Sequence, residues 1–507
     1  MRRKLLITLL TALTVTAVVS PPASAGLPAG FSTQKIDWKP CFNPPPPGLP
    51  PGAEKLECGT FQTPMNWAAP GKAITIAVSR LSVGTPKKTV FTNPGGPGGA
   101  GRTLPLAFLN RPKLLQNTEI IGIDVRGTGA SSNVTCGGYQ ALGQVDPRDR
   151  SRDNLDLLND TYELQAKFCQ RKSGELGPFV TTEQTVRDLD LLRQLLNRDK
   201  VSWIGYSGGT WMGAYYATYF PRSVDKFVLD SNAEFTSDWQ TVFSAFGPGF
   251  ERRFRTDYLP WVAKYDNVFH LGTTAEQVRQ VYEKTRARLA EQPVTLPDGT
   301  VVTPTLLDLV LIQTQYNKLN FTQGTQFLVM LQGNQFTAQA SYPDASLGTQ
   351  YSILCNDTPF HGGREYLNRR FTELGKQYPL VGYYAIAGPC HFWDRPNVHL
   401  KRPTGIGVPP VLMVQSVRDP ATPLEGAQRA HARFAGSRML TVNDEGDHGI
   451  YGRANPCVND IVESFVVDGV VPQRDLTCPG VPLPAPGAEQ GGNPIGDAEA
   501  YARQVGW

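Results

Sequence analysis

The sequence predicts an α/β fold in which a mostly parallel sheet is flanked by helices and carries an inserted, mainly helical cap. The first reason is that short apolar runs alternate with helical patterns in both halves of the chain, as in a sheet covered on both faces. The second is that this alternation stops between about residues 235 and 350 and resumes near Val408. The third is Gly205–Gly209, a Gly-Tyr-Ser-Gly-Gly sequence between an apolar run and a small-residue helical stretch.

The N-terminus has the features of a secretory signal peptide. Residues 2–4 are basic, residues 5–19 form an uncharged and mostly apolar run, and Ala-Ser-Ala at 23–25 fits the small-residue cleavage pattern. The apolar run is shorter than the roughly 20 residues that a membrane-spanning helix needs. We therefore expect cleavage after residue 25 and a secreted, extracellular protein without a membrane anchor.

The charge balance argues against a nucleic-acid partner. The whole chain has a formal net charge of +4, and its first 25 residues hold three basic and no acidic side chains, which leaves +1 for the remainder. A nearly neutral protein lacks the basic surface that phosphate backbones require.

We expect a monomer that uses no cofactor.

The candidate strands and helices follow in chain order. Residues 26 to about 70 are rich in proline, with four in a row at 44–47, and predict a surface arm. Thr185–Asn197 has apolar residues at helical spacing, and Thr185 with Asp188 suits a capping box. The candidate strands are Ile74–Leu81, Thr89–Thr92, Glu119–Val125, Val201–Ile204, Lys226–Leu229, Val411–Gln415 and Met439–Val442.

The inserted segment is predicted to be mostly helical. Thr274–Glu291 has a helical apolar pattern, and Val294–Val302 is typical of a hairpin around Pro297-Asp298-Gly299. Ligands of open α/β sheets bind at the carboxyl ends of the strands, so we expect this segment to cover that edge. The predicted divisions are the signal peptide (1–25), the first core part with its arm (26–234), the cap (235–350), the second core part (351–482) and a C-terminal tail (483–507).

Eight cysteines remain after the signal peptide, and an even number in an exported chain indicates disulfides. Spacing alone does not determine connectivity, and we expect each cysteine to pair with its neighbour in the sequence. No pair has the Cys-x-x-Cys spacing of a zinc or redox site, so no metal is expected. The expected pairs are Cys41–Cys58, Cys136–Cys169, Cys355–Cys390 and Cys457–Cys478.

The strand, turn and helix around Gly205–Gly209 form the setting of a nucleophilic serine. In such a turn the serine takes an unusual backbone conformation that exposes its Oγ, and the flanking glycines let the backbones approach. The start of the following helix presents free N–H groups and the positive end of the helix dipole. We therefore predict Ser207 as a nucleophile and the Gly208 N–H as an oxyanion donor.

A serine nucleophile needs a base. His448 lies in a glycine-flanked loop directly after the last candidate strand, where its side chain can reach over the serine. His391, beside Cys390, is the rival, and its position favours a structural role near a disulfide. We predict His448 as the base.

The base in turn needs an orienting carboxylate. Asp419 follows the candidate strand Val411–Gln415 in a loop that two prolines fix, and we predict it as the acid. Asp230, after another candidate strand, is a weaker alternative, and Asp447 is too close to its neighbour His448 to reach that imidazole. The order serine, aspartate, histidine along the chain is that of α/β-hydrolases.

A second glycine-rich segment, Asn93–Gly101, follows a candidate strand. It lacks the Lys-Ser/Thr of a P-loop and the glycine spacing of a dinucleotide-binding turn. In α/β-hydrolases a loop at this place supplies one oxyanion donor and the residue after the nucleophile supplies the other. We predict that Gly96 donates together with Gly208.

These motifs resemble secreted actinobacterial tripeptidyl aminopeptidase-like hydrolases, which are α/β-hydrolases related to prolyl iminopeptidases. The resemblance runs from about residue 38 to residue 482 and includes the cysteines. It implies serine-dependent removal of short peptides or single residues from a free peptide N-terminus. Pro94 stands where the prolyl enzymes usually have His. The segments that carry it, in order, are Asn93–Gly98, Asp124–Ser131, Gly205–Gly209, Val417–Pro423 and Gly446–Gly449.

An enzyme of this kind must bind the ammonium group of its peptide substrate, for which a partly buried carboxylate is suited. Asp357, near Cys355, and Glu234 are the candidates, and a surface carboxylate is the alternative interpretation of each. Two other functions remain open from the sequence: an exported carboxylesterase for small or lipid esters, and a non-catalytic binding protein with the hydrolase fold.

Overall fold

The computed structural model describes residues 30–45, 49–296, 299–333 and 343–488. The predicted signal peptide, part of the proline run, the turn residues Pro297 and Asp298, and most of the predicted tail lie outside the described residues. No helix in the described ranges is long and apolar enough to cross a bilayer.

The core is a sheet of ten strands in the order β1-β2-β3-β5-β4-β6-β7-β10-β11-β12. The first three pairings in this order are antiparallel and all the others are parallel. The mostly parallel sheet that the sequence predicts is therefore confirmed. The strands are β1 (Lys39–Pro40), β2 (Leu56–Pro64), β3 (Ala73–Ser82), β4 (Lys88–Asn93), β5 (Thr118–Asp124), β6 (Val201–Tyr206), β7 (Val224–Asp230), β8 (Val294–Thr295), β9 (Val301–Val302), β10 (Val411–Ser416), β11 (Arg438–Asn443) and β12 (Leu476–Pro479).

All seven candidate strands are present, with ends within two residues of the prediction. The central strands β5 and β6 are buried along their whole length, because helices cover both faces of a parallel sheet. β8 and β9 form a separate antiparallel pair, in agreement with the predicted hairpin. The sequence analysis missed β2, inside the predicted arm, and β12, inside the proline-rich end of the core.

In the core, one or more helices follow each strand from β4 to β11, and the inserted segment is helical apart from the β8–β9 pair. α3 is capped by Thr181, whose side chain accepts a hydrogen bond from the Gln184 N–H, and not by the predicted Thr185. The helices are α1 (Pro112–Asn117), α2 (Arg152–Lys172), α3 (Thr182–Leu195), α4 (Gly208–Tyr219), α5 (Trp239–Ser244), α6 (Phe246–Arg253), α7 (Leu259–Lys264), α8 (Asp266–Phe269), α9 (Ala275–Glu291), α10 (Pro304–Thr314), α11 (Phe321–Gly333), α12 (Asp344–Asp357), α13 (Arg364–Gln377), α14 (Leu424–Arg433) and α15 (Pro456–Val466).

The inserted segment has a hydrophobic core of its own, with Phe254, Trp261 and Leu311 among its buried members. α12 does not belong to that core. Its residues Leu347 and Leu354 pack in the cluster beneath the main sheet. The predicted boundary at residues 350 and 351 therefore falls inside a single helix that packs on the sheet domain.

Four disulfides join the cysteines as neighbours in the sequence, and the described residues contain no free cysteine. One bridge attaches the N-terminal arm to β2, and another attaches β12 to α15. A third links α12 to a short helix at Gly388–Phe392. The pairs are Cys41–Cys58, Cys136–Cys169, Cys355–Cys390 and Cys457–Cys478.

Candidate active site

Ser207 lies at the turn between β6 and α4. Its φ of 54° and ψ of −121° are in a region that L side chains rarely adopt; this conformation costs about 1–3 kcal/mol and persists only where the surroundings impose it. The Ser207 N–H donates to the Asp230 carbonyl at 3.0 Å. A Cβ added to Gly205 would lie 2.5 Å from the Gly209 carbonyl oxygen. The predicted strand–turn–helix geometry is therefore present, and both flanking glycines are sterically required.

Asp419 and His448 meet at the carboxyl ends of β10 and β11. The His448 Nδ1–H donates to Asp419 Oδ1 at 2.9 Å and Oδ2 at 3.0 Å. The Asp419 carboxylate is completely buried, and 11% of the His448 side chain is exposed. Asp419 Oδ1 also accepts the N–H groups of Ala421 and Thr422 at 3.0 and 2.8 Å. These contacts orient the carboxylate and, with Nδ1 occupied, leave Nε2 of the imidazole for proton exchange.

The loop that carries His448, residues 444–453, packs against the nucleophile turn; we call it the histidine loop. A Cβ added to Gly449 would lie 3.4 Å from Tyr206 Cδ1, and Tyr206 immediately precedes Ser207. The Tyr206 hydroxyl donates to the Tyr451 carbonyl at 3.0 Å. The structure thus brings the predicted base and the predicted nucleophile to the same edge of the sheet.

The inserted segment contributes Tyr316 to this site, which the sequence analysis missed. The His448 N–H donates to the Tyr316 carbonyl at 2.9 Å, and the two rings pack edge to face with centroids 5.4 Å apart. Tyr316 lies between α10 and a short helix at Lys318–Asn320, 132 residues before the histidine in the sequence. No local motif in this segment marks such a contact.

The other candidate groups have different partners. His391 Nδ1 bonds the Gly362 carbonyl at 2.9 Å, and burial lowers the pKa of its imidazole. Asp447 forms a buried ion pair with Arg253 at 2.6 Å. Both side chains are therefore occupied away from the Asp419–His448 pair.

Asp230 is also fully buried, but its carboxylate contacts the histidine loop. Asp230 Oδ2 accepts the N–H groups of Ile450 and Tyr451 at 2.9 and 2.7 Å. Burial raises the pKa of Asp230 to about 6 against the opposing effect of these hydrogen bonds. Asp230 thus contacts the backbone beyond the imidazole, whereas Asp419 contacts the imidazole itself.

The glycine-rich segment Asn93–Gly101 packs directly on the nucleophile turn. A Cβ added to Gly95 would lie 2.3 Å from the Tyr206 carbonyl oxygen and 2.9 Å from Ser207 Cβ. A Cβ added to Gly208 would lie 3.2 Å from the Gly96 nitrogen. The two predicted oxyanion donors, Gly96 and Gly208, are therefore adjacent and lie beside the serine.

The Asp-x-Arg-Gly-x-Gly-x-Ser segment supports this glycine-rich loop. The buried Asp124 accepts the N–H groups of Gly101 and Arg102 at 2.8 and 3.0 Å and that of Ala130 at 2.9 Å. The buried Arg126 pairs with Asp188 on α3 at 2.6 Å. Asp124 thus holds the backbone of the glycine-rich loop, and Arg126 donates to the backbone carbonyls of Pro64, Met65 and Phe179.

The two carboxylates expected to bind a substrate ammonium have protein partners instead. Asp357 accepts the N–H and the hydroxyl of Thr182 at 2.8 and 2.6 Å, at the first turn of α3. Glu234 forms a two-pronged ion pair with Arg429 at 3.0 and 2.7 Å. Both carboxylates thus have hydrogen-bond partners within the protein, and an ammonium-binding role for either of them stays a prediction. Among the described residues, no cluster of His, Cys, Asp or Glu has the arrangement of a metal site.

Comparison with known proteins agrees with the site geometry. A family model described as "TAP-like protein" matches residues 378–478, which contain Asp419 and His448. The chain is 34% identical to a protein named tripeptidyl aminopeptidase from Streptomyces lividans, over 89% of this chain and 88% of that protein. It is 25% identical to a protein named serine protease Hip1 from Mycobacterium tuberculosis, over 88% of this chain and 91% of that protein.

A solved structure, the proline iminopeptidase of Mycobacterium smegmatis, matches with a TM-score of 0.38 at 11% identity, covering 77% of this chain and 91% of that one. The Streptomyces relative spans nearly the whole of both sequences, including the serine turn, the glycine-rich loop and the Asp419–His448 pair. The chain therefore belongs to the tripeptidyl aminopeptidase family of α/β-hydrolases.

Proposed function

We propose that this protein is an exported serine aminopeptidase that releases short peptides, including tripeptides, from the free N-terminus of a peptide substrate. The observation that carries the proposal is the buried Asp419–His448 pair. The histidine of this pair stands on the histidine loop, which packs against the strained turn of Ser207. The family supports peptide substrates, since the relative from Streptomyces lividans is named for tripeptidyl aminopeptidase activity.

Acylation follows from the orientation of these groups. His448 Nε2 takes the proton of Ser207 as Oγ attacks the scissile carbonyl carbon, and Asp419 stabilises the imidazolium that forms. The N–H groups of Gly96 and Gly208 bind the negative oxygen of the tetrahedral intermediate. When the C–N bond breaks, the imidazolium returns its proton to the departing amine.

Deacylation repeats these steps with water. His448 takes a proton from the water as its oxygen attacks the acyl carbon, and the proton is then given to Ser207 Oγ as the ester bond breaks. The released acid is the N-terminal fragment of the substrate. The remaining peptide has left in the acylation step, with its new free amine.

The inserted segment supports a preference for chain ends. Tyr316 packs on the ring of His448, so the segment lies directly beside the reacting groups. A segment in this place restricts access on one side, which a short terminal peptide accommodates more readily than the middle of a folded chain. Export is supported by the basic and apolar N-terminal sequence and by the four disulfides, which form in oxidising compartments.

Covalent labelling of the serine tests this function. A fluorophosphonate should add to Ser207, and Ser207→Ala should lose labelling together with at least about a thousandfold in kcat/KM for a tripeptide anilide. Ser223→Ala is the control, because Ser223 lies at the end of a short helix after α4 and should keep both properties. Turnover by Ser207→Ala within tenfold of the wild type, with an unchanged circular dichroism spectrum, would rule this serine out.

A further inference from the structure

Asp230 makes contacts that join the nucleophile turn to the histidine loop. Its main-chain carbonyl accepts the Ser207 N–H at 3.0 Å. Its side chain accepts two consecutive N–H groups of the loop, those of Ile450 and Tyr451. A single residue at the end of β7 therefore contacts the backbone on both sides of the reacting pair.

The next residue, Ser231, extends this connection. Its hydroxyl accepts the Gly449 N–H at 2.7 Å and lies 3.2 Å from Asp230 Oδ1. Ser231 has a φ of 59°, a left-handed conformation that is unfavourable for a serine. The three successive N–H groups after His448 thus donate to the side chains of Ser231 and Asp230. The strained backbone of Ser231 holds its hydroxyl in the accepting position.

We propose that Asp230 is a positioning residue: it fixes the histidine loop against the nucleophile turn, and its negative charge stabilises the imidazolium of His448 during acylation. The inference rests on the proposed serine chemistry and adds a second carboxylate to it. Asp419 orients the imidazole of His448 by direct contact. Asp230 acts through its hydrogen bonds to the backbone of the histidine loop and through the electrostatic field of its carboxylate. The Asp230 carboxylate is completely buried, so solvent screens its charge poorly.

Few other groups near Asp230 change charge in the neutral pH range. The titratable and charged residues that face it are Tyr206 on β6 and, on the histidine loop, His448, Arg453 and Tyr451, the last of which contacts it through its backbone N–H. Burial raises the pKa of both tyrosines above its usual value, so they stay neutral. Arg453 Nη2 donates to the His448 carbonyl at 3.1 Å.

The remaining groups around the imidazole are Asp419 and the ring of Tyr316. The pKa of Asp230 is raised to about 6 by burial, so the side chain becomes charged between about pH 5 and pH 7. The charge beside the proposed base therefore changes within the pH range in which the test is made.

The test compares Asp230→Asn with Asp225→Asn, a control on the same strand. Asp225 contacts Lys226 at 3.1 Å and Lys88 at 3.5 Å, near the opposite end of β7. A nearby negative charge favours imidazolium, so removing it lets the base stay unprotonated to lower pH. The acid limb is the fall of kcat/KM on the acid side of its pH profile. In Asp230→Asn the midpoint of this limb should move to lower pH by roughly half to one unit. The value of kcat should also fall about ten- to a hundredfold.

In Asp225→Asn both quantities should stay within twofold of the wild type. A residue with a merely structural role would lower kcat without moving the acid limb. An unshifted limb in Asp230→Asn, or an equal shift in Asp225→Asn, would overturn the proposal.

Ser231→Ala tests the connection without removing the charge. It deprives the Gly449 N–H of its acceptor, so kcat should fall about three- to tenfold while the acid limb stays where it is in the wild type. An unchanged kcat would overturn the proposal even if Asp230→Asn does not fold. The serine chemistry is judged separately: an inactive Ser207→Ala beside an Asp230→Asn variant with the wild-type profile would reject only the role of Asp230.

Discussion

At the scale of single residues, backbone strain concentrates at the proposed active site. Five described residues other than glycine have a positive φ, and three of them, Ser207, Ser231 and Asp444, lie in the nucleophile turn, directly after β7 and in the histidine loop. Such conformations persist only where surrounding contacts impose them. The Ser207 turn was predictable from its glycines, whereas the conformations of Ser231 and Asp444 have no comparable sequence signal.

The choice of Asp419 over the other aspartates leads to a kinetic prediction. Asp419→Asn should lower kcat by about a thousand- to ten-thousandfold, because an amide no longer holds the imidazole in the required tautomer. Asp447→Asn should cost less than tenfold in kcat and act mainly on stability, since Asp447 pairs with the buried Arg253. Steady-state kinetics and thermal unfolding of the two variants separate these effects. A larger kinetic loss in Asp447→Asn would refute the assignment.

The buried Asp357 predicts an unusual dependence of stability on pH. Burial raises the pKa of Asp357 to about 6, so its contribution to folding is fully present below about pH 4 and is lost as the pH rises through 6. Asp357→Asn is neutral throughout. The free energy of unfolding of the wild type relative to this variant should therefore fall by roughly 2 kcal/mol between pH 4 and pH 7. Denaturant titrations at both pH values measure this, and a constant difference would contradict it.

At the scale of elements, the parts with strong local patterns were predictable. β6 and α4 follow from an apolar run, a glycine turn and small residues. β2 was missed because it lies in proline-rich sequence and its large apolar residues Leu56 and Phe61 are too far apart to form an alternating pattern. β12 was missed because it has only four residues and ends at Pro479. Its place at the sheet edge comes from pairing with β11 and from the Cys457–Cys478 bridge.

The glycine-rich loop acts as one element with the nucleophile turn, so a methyl group at the contact should disrupt both. Gly95→Ala would place a Cβ 2.3 Å from the Tyr206 carbonyl oxygen, at a φ of 94°. Gly84→Ala is the control, since Gly84 has a φ of 82° and no atom within 4 Å of the added Cβ. Both variants carry the backbone strain, and only Gly95→Ala should also lose most of kcat/KM. Equal activity of the two would show that the loop tolerates displacement.

At the scale of the whole molecule, the inserted segment and the sheet domain share one buried ionic network below His448. Asp447 accepts the Lys318 N–H at 2.8 Å and pairs with Arg253, and both partners come from the inserted segment. Lys318 Nζ also pairs with Glu445 at 2.6 Å. The insertion was predictable from the interrupted strand–helix pattern. These contacts were not, because they join residues more than 120 positions apart in the sequence.

These contacts connect the histidine loop to the inserted segment. The protein partners of the two carboxylates expected to bind the substrate ammonium were missed for the same reason as the ionic network. A sequence shows where a carboxylate stands but not which distant cation or N–H group it meets after folding. Arg429 reaches Glu234 from α14, 195 residues away.

The central claim is that Ser207 drives cleavage at a free peptide N-terminus, and one comparison tests it most directly. The measurement is kcat/KM for a tripeptide anilide and for its N-acetylated counterpart, with wild type and Ser207→Ala. A charge-assisted hydrogen bond to the ammonium contributes about 1.5–3 kcal/mol, so acetylation should lower kcat/KM by roughly ten- to a hundredfold, and Ser207→Ala should abolish turnover of both. Equal kcat/KM for the two peptides, or faster turnover of a simple ester than of any free peptide, would contradict the assignment of aminopeptidase activity.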